Sequence, residues 1–146
     1  MNIIYTIGYA QKSLEQFIKL LKENGITSVI DVRLYRNSQW IKFAKEGSLK
    51  HLLEQHLNIK YKAMPELAPT PALLKAYRKN KSWENYEQEF NEIIKGRHLE
   101  RFKDNILGEN ENVCFLCMES KPDKCHRRLI AEFFSGLKAG AEVVHL

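Results

Sequence analysis

The sequence lacks the marks of secreted and membrane proteins. It has three cysteines among 146 residues, a sparse and odd number that argues against a disulfide scaffold and favours a reducing compartment. No apolar run approaches the roughly 18 residues of a membrane span. The N-terminal MNIIYTIGY has neither the basic region nor the long apolar stretch of a signal peptide. We therefore expect a cytoplasmic protein that does not associate with membranes.

Three motifs of cofactor and metal chemistry are also missing. The chain contains no G-x-x-x-x-G-K-[ST] loop, no G-x-G-x-x-G fingerprint and no H-E-x-x-H pair. Nucleoside triphosphate hydrolysis, dinucleotide binding and zinc-protease chemistry are therefore without support from motifs. We predict no cofactor.

The composition that is present fits one compact domain, residues 1–146, with 44% hydrophobic and 28% charged residues. The net charge of +5 favours anionic partners, a small molecule or a nucleic acid, although 18 acidic residues offset 23 basic ones. Trp83, Tyr86 and Phe90 follow helical spacing, and we expect them in the core. The oligomeric state does not follow from these quantities.

Short β-favouring runs alternate with segments of helical spacing. The strand candidates are residues 3–7, 26–32, 59–63, 113–117 and 142–146. This alternation predicts an α/β fold: a single three-layer domain with a mostly parallel five-stranded sheet flanked by helices, Rossmann-like, in the strand order 3-2-1-4-5. Because residues 113–117 are apolar throughout, this strand is expected at the centre, beside the first strand and covered on both faces.

Capping residues mark the expected helix starts. Ser13, with Gln16 three residues later, forms a capping box. Thr70 precedes a proline at the first helical position. Further N-cap candidates are Ser48, Ser82 and Asp123.

Polar residues follow four of the predicted strands. In open parallel sheets, ligands bind outside the carboxyl ends of the strands, so these residues define a candidate site. We predict catalytic roles for Asp31, Glu66, Glu119, Cys125 and His126. We predict substrate contacts from Gly8, Tyr9, Arg33, Cys117 and Arg127.

Each group has an expected role. Arg33 and Arg127 would hold an anion, the carboxylates would act as general acid or base, and Tyr9 would donate a hydrogen bond or stack. Cys125 lies in the first turn of a helix predicted over 122–137, where the helix dipole and nearby basic residues would lower its pKa. Neighbouring helical residues point about 100° apart, so Cys125 and His126 are expected to act separately.

Most of these residues also have a structural interpretation, which the sequence leaves open. Gly8 can serve a sharp turn, and Asp31 with Arg33 can form a structural ion pair. Glu66 can be solvated, and Cys125 can be a small core residue.

The cysteines argue against a structural zinc site. Cys114 and Cys117 lie three apart in a strand, so they face opposite sides of the sheet and cannot share an ion. Cys117, Cys125 and His126, with Glu119 as a distant fourth group, do not have the spacing of short zinc-ligand pairs. We predict no metal site, and we place Cys114 in the core.

Several stretches together carry a family resemblance. They are TIGY at 6–9 followed by SLEQF, IDVR at 30–33, PELAPT at 65–70, W-x-x-Y at 83–86 and C-x-E-x-x-P-x-x-C-H-R at 117–127. Over nearly its whole length the chain resembles the uncharacterised bacterial and archaeal family called domain of unknown function 488. The resemblance implies a compact α/β domain and no assigned reaction. The loop LYRNSQWIKFAKEG after Arg33 is less basic and proline-rich than in relatives, and Ala10 replaces a small polar residue.

The leading functional hypothesis is an enzyme, a hydrolase or transferase, acting on an anionic nucleotide- or nucleic-acid-related substrate at this edge of the sheet. A non-catalytic nucleotide- or nucleic-acid-binding module is the competing class. A rhodanese-like sulfurtransferase with a cysteine nucleophile is a further alternative, suggested by VIDVR and by a strand that ends in cysteine. The segment after Cys117 has an acid, a proline and no glycine, which suits an anion cradle poorly.

Overall fold

Five parallel strands form one open sheet in the computed structural model, which describes residues 2–146. The strands are β1 (Ile3–Gly8), β2 (Ser28–Asp31), β3 (Lys60–Ala63), β4 (Val113–Cys117) and β5 (Glu142–His145). Their order across the sheet is β3-β2-β4-β1-β5, and every neighbouring pair is parallel. The predicted α/β class with a parallel five-stranded sheet is confirmed.

The predicted strand order is wrong, because β4 lies between β2 and β1. Cys114 of β4 is paired with Tyr5 of β1 on one side and with Val29 of β2 on the other. The central position of β4 is confirmed, and all five of its residues are buried. A strand covered on both faces and paired on both edges must be apolar throughout, and VCFLC meets that requirement.

Helices cover both faces of the sheet. One face carries α1 (Leu14–Glu23) and α2 (Glu46–His51), the latter continued by a π-helical turn (Leu52–His56). The other carries α3 (Pro71–Asn80), α4 (Trp83–Arg97), α5 (Lys103–Ile106) and α6 (His126–Leu137). Short 3-10 turns occupy Lys42–Ala44, Pro65–Leu67 and Leu99–Phe102. Among the described residues, no helix combines the length and apolar character needed to cross a membrane.

Three predicted helix caps are confirmed. The Ser13 hydroxyl accepts from the Gln16 N–H, and the Gln16 side chain accepts from the Ser13 N–H, which completes the capping box. Thr70 caps α3 and Ser82 caps α4 in the same way, each accepting from a backbone N–H three residues later. These bonds join near neighbours, so local sequence is sufficient to specify them.

Two predicted caps are wrong. Helix α2 begins at Glu46 rather than after Ser48, because Glu46 is anchored to Arg36 through both its backbone N–H and its carboxylate. Helix α6 begins at His126 rather than after Asp123. The Cys125 N–H donates to the Pro122 carbonyl, so residues 122–125 form a separate turn before the helix.

Two apolar layers pack against the sheet and separate the cysteines. Cys114 faces the layer that contains α1 and α2, whereas Cys117 and Cys125 belong to the layer that contains α3, α4 and α6. Cys114 is fully buried in its layer, as predicted. The alternation of side chains along β4 therefore puts Cys114 and Cys117 on opposite faces, and Cys125, which precedes α6, lies on the same side as Cys117.

Gly8, at the end of β1, allows the chain after β4 to approach closely. A Cβ atom at this position would lie 1.6 Å from the backbone oxygen of Glu119. The requirement for glycine is therefore steric, since a side chain here would displace the backbone of the β4–α6 loop.

We expect Gly8→Ala to lower the free energy of unfolding by about 1–3 kcal/mol, because the added methyl group overpacks a backbone contact. Gly96→Ala in α4 is the matched control, since a Cβ there meets nothing within 4 Å. It should leave stability unchanged or raise it by up to about 1 kcal/mol. Urea denaturation followed by circular dichroism measures both, and equal stabilities of the two variants would contradict the steric argument.

Candidate functional site

A cavity of about 560 Å³ lies at the carboxyl edge of the sheet. Its walls come from the segments that follow β1, β2 and β4 and from helices α3 and α4. Six of the predicted site residues line it: Tyr9, Arg33, Cys117, Glu119, Cys125 and His126. Most of the predicted site residues therefore lie together at this edge of the sheet, as expected.

The other four predicted residues lie outside the lining. Asp31 is fully buried directly behind Arg33, and Gly8 packs against the Glu119 backbone. Arg127 is fully buried beneath the β4–α6 loop. Glu66 is exposed on a 3-10 turn, where its backbone carbonyl accepts a hydrogen bond from Arg97.

Asp31 and Arg33 form a buried, bidentate ion pair. Arg33 Nε donates to Asp31 Oδ1 at 2.9 Å, and Nη2 donates to Oδ2 at 2.7 Å. The Tyr61 hydroxyl donates to the same carboxylate at 2.5 Å, and burial together with this bond raises the pKa of Tyr61. Both carboxylate oxygens are thus occupied, so Asp31 holds Arg33 in place, which is the structural interpretation of the pair.

We expect Asp31→Asn to lower the free energy of unfolding by about 3–5 kcal/mol, because it leaves the Arg33 charge buried without a counter-charge. Glu23→Gln is the control. This substitution breaks the ion pair between Glu23 and Lys19, whose side chains are 57% and 73% exposed, respectively. It should change the free energy of unfolding by less than about 1 kcal/mol. Chemical denaturation measures both, and a similar small loss for each would show that the buried pair contributes little.

Cys117, Cys125 and His126 converge on one point of the cavity wall. Their sulfur and nitrogen atoms all lie within 4.8 Å of one another, and all three residues are buried. Cys117 Sγ is 3.8 Å from His126 Nδ1, and His126 Nε2 is 2.6 Å from the Val32 carbonyl oxygen. A carbonyl can only accept a hydrogen bond, so Nε2 carries the ring proton. The ring edge of Phe90 packs against the imidazole at 5.6 Å between centroids.

The expectation that Cys125 and His126 point apart is wrong. Cys125 is the N-cap of α6, with extended backbone angles of φ −137° and ψ 137°. The 100° step between neighbours applies inside a helix, and Cys125 stands outside it. Its side chain therefore turns back toward His126 and Cys117.

The expected lowering of the Cys125 pKa is also wrong. A hydrogen bond to Cys117 and burial raise the pKa of Cys125. The pKa of Cys117 is lowered by that same bond, by the backbone N–H groups of Met118 and Glu119 and by the charge of Arg127, against the effect of burial. Cys117 is thus the thiol whose surroundings favour the thiolate. Burial raises the pKa of Cys114, in keeping with a core position.

Within residues 2–146, Arg127 is a buried cation without an acidic partner. Its Nε donates to the Thr6 hydroxyl at 3.1 Å, and its Nη1 donates to the Glu119 carbonyl. Nη2 has no hydrogen-bond partner among residues 2–146, and none of the ion pairs formed within that range includes Arg127. Its charge contributes to lowering the pKa values of Lys12 and His145, in each case after the larger effect of burial.

The aromatic walls of the cavity were not foreseen. Tyr77 and Trp83 are half-buried and line the cavity together with the buried Tyr86, and the rings of Trp83 and Tyr86 stack at 4.9 Å between centroids. Tyr35 and Trp40 line it from the segment after β2, and Trp40 is 93% exposed. Helical spacing predicts a core position for both residues; Tyr86 is buried in the core, whereas Trp83 is half-buried at the margin of the core. Tyr35 and Trp40 lie in a segment, LYRNSQW, that has no helical or strand periodicity, and aromatic residues in such a segment could have indicated a binding surface.

Fold and site together define a class of protein: an open, all-parallel α/β sheet with an aromatic-lined cavity at its carboxyl edge and a Cys–His cluster in the cavity wall. Within that class, residues 13–134 match the family model described as Domain of unknown function DUF488. The chain belongs to this family, as its motifs indicated. No curated protein and no solved structure shows a significant match to it.

Proposed function

We propose that the protein is an enzyme that acts on an anionic substrate of the nucleotide class bound in this cavity. The observation that supports this proposal is that one cavity combines aromatic walls, an excess of basic residues and a buried Cys–His cluster. The reaction class is hydrolysis or group transfer.

The size and the walls of the cavity suit a planar ring. About 560 Å³ falls within the 300–1,000 Å³ common for small-molecule sites. Trp40, Tyr77 and Trp83 present ring surface at the cavity. Stacking of a nucleobase on an aromatic side chain contributes about 1–3 kcal/mol. These residues therefore favour a substrate with a base or a similar flat ring.

The charges around the cavity favour an anion. Arg78 and Lys124 line it against a single lining carboxylate, Glu119, whereas the charge of Arg33 is neutralised by Asp31. Arg127, which takes part in none of the ion pairs formed within residues 2–146, adds a buried positive charge next to the backbone of Glu119. A phosphate group would find two exposed cations at the cavity and a positive field beneath it.

The Cys–His cluster supports catalysis rather than binding alone. Recognition of a nucleotide needs stacking surfaces and cations, and the cavity provides these without Cys117, Cys125 and His126. Sulfur and imidazole groups gathered in the same wall would supply a centre for chemistry. Glu119 is exposed and lines the cavity, and in this proposal it acts as a general acid or base.

Ligand binding can be measured by intrinsic fluorescence, because both tryptophans of the chain, Trp40 and Trp83, line the cavity. We expect saturable quenching by nucleoside monophosphates and at least about 10-fold weaker binding of the matching nucleosides, since a charged hydrogen bond contributes about 1.5–3 kcal/mol. Arg78→Ala and Lys124→Ala should weaken monophosphate binding and leave nucleoside binding unchanged.

Lys19→Ala is the control, since it removes the same charge from a side chain that is 73% exposed on α1, outside the cavity lining. An absence of saturable quenching by all common nucleoside monophosphates would contradict the proposal. Native mass spectrometry of the purified protein would then identify any retained ligand of another class.

Turnover separates the enzyme from a binding module. The best-binding nucleotide, incubated with the protein, should be converted to a product detectable by liquid chromatography and mass spectrometry. Cys117→Ser should abolish conversion, whereas Cys114→Ala, which removes the core thiol on the opposite face of the sheet, should retain it. Binding without conversion would favour the binding module.

A further inference from the structure

We propose that Cys117, Cys125 and His126 form a zinc site in the cavity wall, with the fourth coordination position of the ion open to the cavity. This site does not depend on the identity of the substrate.

The spacing of the three donor atoms suits one ion. In a tetrahedral site with Zn–S of about 2.3 Å and Zn–N of about 2.0–2.1 Å, neighbouring donors lie about 3.5–3.8 Å apart. Cys117 Sγ and His126 Nδ1 are 3.8 Å apart, and all three donors lie within 4.8 Å of one another.

The imidazole of His126 is held in the tautomer that a metal needs. Its Nε2–H donates to the Val32 carbonyl at 2.6 Å, so the lone pair of the neutral ring lies on Nδ1, on the side of Cys117. A metal-bound histidine usually donates its other N–H to a carbonyl or a carboxylate, which fixes the ring. Val32 therefore supplies the supporting contact of a metal ligand, and Phe90 packs against the same ring.

The chemistry of the donors selects the ion. Two thiolates and one imidazole are soft and borderline ligands, which prefer zinc to magnesium or calcium. Two thiolates also balance the charge of Zn²⁺ in a buried position. Three protein ligands with an open fourth position are typical of catalytic zinc, and all three residues here line the cavity. Bound zinc would lower the pKa of a coordinated water and supply hydroxide at the cavity wall.

The spacing argument against zinc applies to structural sites built from short ligand pairs. Here the ligands come from two places in the fold, the end of β4 and the start of α6, where Cys125 is the N-cap and His126 the first helical residue. The loop of residues 118–124 folds between them, so sequence separation does not measure the distance between the donors.

Cobalt substitution tests the site in the full-length protein. After removal of metals by a chelator under reducing conditions, Co²⁺ should bind at one ion per chain. The spectrum should show a thiolate-to-cobalt charge-transfer band and the intense visible bands of a tetrahedral ion. Zn²⁺ should displace the Co²⁺, so that both features disappear. The absence of stoichiometric Co²⁺ and Zn²⁺ binding by the reduced protein would overturn the proposal.

Variants assign the ligands. Cys117→Ser, Cys125→Ser and His126→Gln should each weaken zinc binding by at least about 100-fold, measured by competition with a chromogenic chelator. The controls are Cys114→Ala, whose thiol faces the other side of the sheet, and His98→Gln, whose side chain is 77% exposed. Unchanged zinc affinity in both cavity cysteine variants would also overturn the site.

Alkylation of the wild-type chain avoids any loss of folding in the variants. Zinc should protect Cys117 and Cys125 from a maleimide, and a chelator should restore their labelling, as mapped by peptide mass spectrometry. Equal labelling rates of these two thiols with and without zinc, over a reaction long enough to label both in the metal-free chain, would contradict the proposal. Because this readout needs no nucleotide, zinc binding can be established even where the proposed substrate class fails.

Discussion

The backbone carbonyl of Glu119 fixes the geometry of the carboxyl edge of the sheet. It accepts a hydrogen bond from Arg127 and packs against Gly8, where no side chain fits. The N–H groups of Tyr9 and Ala10 donate to the carbonyls of residues 117 and 118, which extends the pairing of β1 and β4 beyond the strands. The β4–α6 loop is thus attached to β1 along its first residues. This attachment determines where the sulfur of Cys117 lies and from where the chain turns into α6.

The two buried arginines of this edge handle their charges differently. The charge of Arg33 is neutralised by Asp31, to which the Arg33 side chain donates two hydrogen bonds. Arg127 donates to a hydroxyl and a carbonyl, which are neutral, so no partner within residues 2–146 cancels its charge. A buried charge without a counter-charge is costly, and the positive field that it creates favours anions at the nearest accessible positions. This field reaches the thiol of Cys117, whose pKa is lowered mainly by a hydrogen bond to Cys125 and to a smaller extent by the charge of Arg127.

The sequence predicted those features that local contacts determine. The capping box of Ser13 and the cap at Thr70 involve residues three apart, and both were found as expected. The start of α2 was missed, because Arg36, ten residues away, anchors Glu46. The convergence of Cys125 on its neighbours was missed for a related reason: a turn before α6 sets its backbone angles, and no local motif announces that turn.

The strand order determines how the side chains of the site are arranged. The sequence therefore predicted the edge of the sheet at which the site lies, but not which of its side chains come together. The segments after β1 and β2 lead to helices on one face, whereas the segment after β4 leads to α6 on the other. With β4 between β1 and β2, the chain segments that follow these strands diverge on both sides of β4 and open the cavity at the end of β4.

In the order 3-2-1-4-5, β1 would separate β2 from β4, and β2 and β4 would lie roughly 9.6 Å apart instead of about 4.8 Å. His126 could not then reach the carbonyl of Val32, just past β2, and its ring would lose the contact that orients Nδ1 toward Cys117. The cluster therefore depends on a long-range pairing of strands, which hydrophobic periodicity does not encode.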